Sequence, residues 1–168
     1  TGTSCTLFFS EYSEGSATNK YLELYNPTSS TIFLDQYAFP NVSNGPSIAG
    51  IHEWWNIFPS GATVAPNSTY IIAHPSADES ILAVADMTHQ YLSNGDDGYA
   101  LVQGNEDDFI VIDVIGQSIY DEDYIDPGTG WEISGVLNAT ENHTLVRKSF
   151  VNAGNAGMWA ASAGTNEF

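Results

Sequence analysis

Between Lys20 and Asn26 the side chains alternate without a break, with Leu22 and Leu24 on one face and Tyr21, Glu23 and Tyr25 on the other. A period of two over that length fits a strand with one face against a core and the other in water. Asn26-Pro-Thr-Ser-Ser then stops it as a turn. The same grammar recurs along the chain. Strands are expected at Leu7–Tyr12, Lys20–Asn26, Thr31–Leu34, Tyr37–Phe39, His52–Phe58, Thr69–Ala73, Tyr99–Val102, Phe109–Ile115 and Thr144–Lys148. A further short strand is expected between Pro59-Ser-Gly and Ala65-Pro-Asn. About nine short strands punctuated by Gly, Pro and Asn predict an all-β chain folded as an immunoglobulin-like β-sandwich.

One helix is expected to interrupt the strands. Ser76-Ala-Asp-Glu79 has the form of a capping box, and Ala77, Ile81, Val84 and Ala85 recur behind it at helical spacing to about Met87. Gln117 to Gly135 reads as a long surface loop. The core is expected to contain Leu22, Leu24, Ile71, Leu101, Val111 and Leu145.

At 168 residues the chain suits a single domain, with 1–5 and 160–168 as linker or inter-subunit segments. Cys5 is the lone cysteine, so an internal disulfide is excluded and the fold must stand on its core. Three basic residues, Lys20, Arg147 and Lys148, face 21 acidic ones for a formal net charge of −18. That field repels phosphate backbones and anionic lipid, so neither nucleic acid nor a membrane surface is an expected partner. No apolar run reaches the length of a membrane span, which argues against membrane insertion.

The order of motifs resembles the lamin-tail domain family. The opening blocks are Leu7-Phe-Phe-Ser-Glu-Tyr12, Asn19-Lys-Tyr-Leu-Glu-Leu-Tyr-Asn-Pro27 and Leu34-Asp-Gln-Tyr-Ala-Phe39. Pro59-Ser-Gly-Ala-Thr-Val-Ala-Pro66, Tyr70-Ile-Ile, Asp97-Gly-Tyr-Ala-Leu-Val102, Val111-Ile-Asp-Val-Ile-Gly116 and His143-Thr-Leu-Val-Arg-Lys148 follow in the family's order. The resemblance covers roughly residues 6–165 and is closest to extracellular bacterial and algal members. It implies an immunoglobulin-like sandwich, modules in tandem or beside nucleases and other hydrolases, and no catalytic residues to carry over. A shared fold does not settle function.

Motifs for catalysis are thin. There is no Gly-x-Ser-x-Gly elbow, and His52, His74, His89 and His143 are scattered. His74 and His89 flank the expected helix, but two ligands make a poor zinc site. No cofactor is expected unless calcium binds. Asp96, Asp97, Asp107 and Asp108 lie in Asp-rich loops of the kind whose oxygens suit Ca²⁺, and the bland reading of those loops is solvated acidic turns. Four sequons, at Asn41, Asn67, Asn138 and Asn142, make the chain a candidate glycoprotein of the cell surface or extracellular space. Trp54, Trp55, Tyr91, Tyr99, Tyr120, Tyr124 and Trp131 could supply a sugar-stacking platform. On a strand, adjacent Trp54 and Trp55 would point to opposite faces, one inward and one outward.

The expected function is that of a non-catalytic structural or assembly module, a repeat or subunit of a cell-surface filament or adhesin. The alternatives are an accessory domain of a secreted nuclease or hydrolase, or a carbohydrate- or calcium-binding module. Self-association is expected through the uncharged strand carrying Leu7, Phe8 and Phe9 or the apolar stretch around Trp159, adding to or packing on a neighbouring copy.

Overall fold

The computed structural model describes residues 6–157 and Trp159. Cys5 and the expected linker segments 1–5 and 160–168 lie outside the described residues. In chain order the strands are β1 (Phe8–Glu14), β2 (Lys20–Asn26), β3 (Ile32–Phe33), β4 (Tyr37–Ala38), β5 (Asn41–Val42), β6 (Thr63–Val64), β7 (Ser68–Ala73), β8 (Met87–Thr88), β9 (Gly98–Asn105), β10 (Asp108–Ile115) and β11 (Thr144–Val146). One five-stranded sheet runs β11-β1-β2-β7-β8, and a second runs β10-β9-β4 with β5 also on β9. A small ribbon, β3-β6, completes an immunoglobulin-like sandwich.

Strand β2 follows its sequence residue by residue. Leu22 and Leu24 are buried while Tyr21, Glu23 and Tyr25 remain partly open. The buried face shares one core with Phe9, Tyr12 and Ile72 of its own sheet and Tyr99, Leu101, Val114 and Ile115 of the other. Each such side chain contributes roughly 1.5–3 kcal/mol by leaving water. Leu101 is inside as expected, and Val111 and Leu145 pack half-buried on the core. Ile71 is corrected: Leu22 pairs with Ile72, so Ile72 is buried and Ile71 turns to the Glu23 face.

The inserted helix is far shorter than expected, Glu79–Leu82. No side-chain cap forms at its N-cap, Asp78, and the Ser76 carbonyl instead accepts from Thr18 Oγ1 at 2.5 Å. The far end is overridden by sheet formation. Asp86 N–H donates to Ile71 O at 2.9 Å, and Met87–Thr88 pairs in parallel with Ile72 and Ala73. The expected strand at His52–Phe58 reduces to isolated bridges, Asn41 with Trp54 and Ala38 with Ile57. The 117–135 loop is anchored rather than superficial, because Ile119, Tyr124 and Trp131 are buried in the core. Gly116 allows this: its φ is +80°, and a Cβ there would sit 2.2 Å from the Trp131 ring.

The terminal-strand assignment for assembly is overturned. Strand β1 is not an edge, since β11 pairs on one side and β2 on the other. Leu7, Phe8, Phe9 and Trp159 are all at most 2% exposed within their own domain, so they are unavailable to a neighbour. A register shift between Val111 and Asp113 opposes them to Val102 and Leu101, which face opposite ways. Asp113 is thereby turned inward. Its carboxylate accepts from Phe9 N–H, Arg147 Nη2 and Asn155 N–H, each at 2.8 Å. The Arg147 guanidinium lies 5.6 Å from the Phe8 ring centroid and 5.1 Å from that of Trp159. A single buried ion pair thus fastens β1, β10, the end of β11 and the segment beyond it.

Candidate ligand cleft

Strand β5 lies antiparallel to the start of β9, pairing Asn41 with Tyr99 and Val42 with Gly98. This pairing brings three distant segments to one end of β9: 41–56, 89–94 and Asp97. Between them lies a cleft of about 590 Å³, within the roughly 300–1,000 Å³ of small-ligand sites. Two aromatic side chains stand open beside it, Trp54 at 50% and Tyr91 at 73% exposure. Its other lining groups are mostly amides and hydroxyls, from Asn41, Ser43, Asn44, Asn56, Gln90 and Asn94.

The lining is held from behind. Asn41 exchanges backbone hydrogen bonds with Trp54, N–H to O at 3.1 Å and O to N–H at 3.2 Å. Asn56 Nδ2 donates to Asn41 Oδ1 at 2.8 Å and to Phe39 O at 3.0 Å. Tyr91 is fixed through its carbonyl, which accepts from the buried Tyr99 hydroxyl at 2.9 Å. His89 packs edge-on against Phe39, with ring centroids 5.4 Å apart. Burial, then His74, lowers its pKa, so it lines the cleft as a neutral imidazole. Its Nε2 is buried without a hydrogen-bond partner among the described residues.

Carboxylates shape the rim. Glu53 accepts from Ser43 N–H at 2.9 Å, Ser47 N–H at 3.2 Å and Ser47 Oγ at 2.7 Å. Asp96 accepts from Asn44 Nδ2 at 2.7 Å. Asp97 Oδ1 accepts from Asn44 N–H at 3.2 Å and Ser43 Oγ at 3.5 Å. Burial, with the Asp96 charge adding to it, pushes Asp97 up to about 6. Lys20 Nζ donates to Asn94 Oδ1 and lies 3.6 Å from Glu14.

The aspartates of the calcium reading lie in two separate loops. Asp96 and Asp97 precede β9, whereas Asp107 and Asp108 follow it at the β9–β10 hairpin tip. Eight strand residues separate the pairs, about 25 Å of extended chain. Asn105 Oδ1 accepts from Asp107 and Asp108 N–H, an Asx turn that accounts for the tip. Among the described residues, no group of three or more His, Cys, Asp or Glu side chains is placed to hold a metal.

The glycan acceptors divide. Asn41 is 3% exposed, with its amide oxygen accepting from Asn56, and a side chain buried to that degree leaves no room for a glycan on the folded domain. Asn67, Asn138 and Asn142 are exposed, each with a positive φ of 53–56°. The aromatic platform also divides. Trp54 faces out, while Trp55 packs with His52 and Phe109 at centroid distances of 5.2 and 5.3 Å. Tyr120 joins that group, 5.0 Å from Phe109. Tyr99, Tyr124 and Trp131 are core. Sequence reasoning missed Asn56 and Gln90 and weighed His89 only as a metal ligand, because no local pattern marks residues that only the β5–β9 pairing assembles.

The model of the lamin tail domain matches residues 1–118. The chain belongs to the lamin tail domain family. All of the cleft falls inside that match, whereas Arg147 and Trp159 of the buried ion-pair node lie beyond it. Comparison with curated proteins finds no match. Lamin tail domains are structural, immunoglobulin-like modules, which accords with a site built of amides and aromatic faces on a rigid sandwich.

Proposed function

We propose that this lamin tail domain is a non-catalytic module of an extracellular glycoprotein, a repeat or subunit of a cell-surface adhesin or filament, and that it recognises carbohydrate in the Trp54–Tyr91 cleft. One observation carries the reading: two exposed aromatic faces flank a cleft otherwise lined by amides. Sugars present apolar C–H faces that pack on aromatic rings and hydroxyls that pair with amide donors and acceptors. An amide-lined wall held by its own hydrogen bonds is pre-organised, which lowers the ordering cost of binding. Copies arrayed in tandem or along a polymer multiply a weak contact into useful avidity. Asn67, Asn138 and Asn142 are the glycan acceptors of this reading.

A glycan array with the intact chain and with Trp54→Ala tests it. Binding to glycans with accessible hexose faces, lost in the variant, is the expected result. No binding to any glycan at high protein density overturns it.

A further inference from the structure

We propose that the cleft selects glycans bearing a free amine, seating the ammonium against Asp97, and rejects glycans bearing carboxylate or sulfate. This rests on the carbohydrate reading of the same cleft.

The carboxylate of Asp97 is half-used. Its Oδ1 accepts from Asn44 and Ser43, while Oδ2 meets no donor among the described residues. Nor is its charge well answered. Lys20 is the cation acting on it, but that ammonium is already engaged by Glu14 and Asn94. Arg147 is buried on Asp113. The other ionisable neighbours deepen the negative field or leave it unrelieved: Asp96 beside Asp97, Asp126 facing Asp96, and the phenols of Tyr12, Tyr99 and Tyr124 packed behind. His89, across the cleft, is held neutral.

A partly desolvated carboxylate with a free lone pair and no full counter-ion attracts a cation and repels an anion. Trp54 and Tyr91 add faces whose quadrupoles favour an ammonium and repel an anion. An unacylated amino sugar fits both demands, offering an ammonium for Asp97 and C–H faces for the rings. The lining amides of Asn44, Gln90 and Asn94 favour a sugar over a lysine-rich peptide, whose alkyl stems bring them no hydroxyl partners.

The test is calorimetric titration of the whole chain near pH 7 with three oligosaccharides of matched length: a glucosamine oligomer, its N-acetylated form and a uronate oligomer. The expected order is amine over N-acetyl by roughly tenfold or more, with no uronate binding. Asp97→Asn abolishes the preference for the amine form over the N-acetyl form. Diffuse attraction to a chain of net charge −18 would scarcely notice the loss of one carboxylate, so retention of the amine preference in Asp97→Asn overturns the proposal. Equal binding of all three sugars overturns it too, while leaving the carbohydrate reading intact. Failure of all three sugars overturns this proposal, and the carbohydrate reading falls with it where the glycan array is also blank. A trilysine peptide that displaces the amine sugar and binds more tightly assigns the site to basic peptides instead.

Discussion

Asp113 and Asp97 are both withdrawn from bulk water, and the fold surrounds them in opposite ways. Around Asp113 the partners all come from the fold: a guanidinium, two long-range backbone N–H groups and two aromatic rings close over the pair, although burial still holds its pKa above the usual carboxylate range. Around Asp97, which lines the cleft, one oxygen is bonded, the other meets no donor among the described residues, and the neighbouring charges include another aspartate. The first arrangement joins strands. The second leaves attraction unspent on the fold and directed at whatever enters from outside. Perturbed carboxylates in clefts are functional candidates for this reason, and structural ion pairs are the standing counter-example. Both cases occur in this one chain.

Breaking the satisfied node gives the largest effect. Arg147→Ala leaves the Asp113 carboxylate buried without its partner and opens space beside Phe8 and Trp159. A loss of about 3–5 kcal/mol is expected, read as a large drop in the denaturant midpoint. Asp97→Asn should act in the reverse direction. An aspartate whose folded pKa is raised, here to about 6, holds its proton in the folded state after the unfolded chain has lost it. Stability therefore falls as pH rises from about 4 to about 6. After allowance for solvent screening, the variant should be more stable than the parent by about 1–2 kcal/mol above pH 6. Below pH 4 the two should converge. A variant less stable than its parent at pH 7.5 would assign Asp97 to the same structural class as Asp113.

Much of this was legible beforehand. The alternation of Lys20–Asn26 specified both strand and face, because one side of β2 is buried and the other is not. Tyr70-Ile-Ile-Ala73 has no alternation, so only its pairing with β2 decides between Ile71 and Ile72. The capping-box pattern at Ser76 was a true local preference defeated by Met87–Thr88 joining the sheet and by Asn19 engaging Asp78. The uncharged first strand suggested an exposed edge, but β11, from the far end of the chain, covers it. The same kind of long-range pairing, β5 on β9, made the cleft invisible except for Trp54 and Tyr91. Both are conspicuous as aromatics, but nothing in the sequence marks them as lining one cleft.

The acidic loops sharpen the contrast at the small end of the scale. Asp96 and Asp97 accept from Asn44 and Ser43, while Asp107 and Asp108 give their backbone N–H groups to the Asx turn of Asn105, so the two pairs are divided between the two ends of β9. The melting temperature should therefore be the same in excess calcium and in chelator, since only a ligand that binds the folded state raises it. A clear rise in calcium would point to a site beyond the four aspartates.

The central claim is that the exposed aromatics of the cleft serve a ligand and not the fold. Denaturation and glycan titration of Trp54→Ala and Tyr91→Ala, made on the same preparations, test it most directly. Stability within about 1 kcal/mol of the parent, together with loss of sugar binding, is the predicted result. Retained binding with a stability loss of several kcal/mol would contradict it, showing that both rings act as packing.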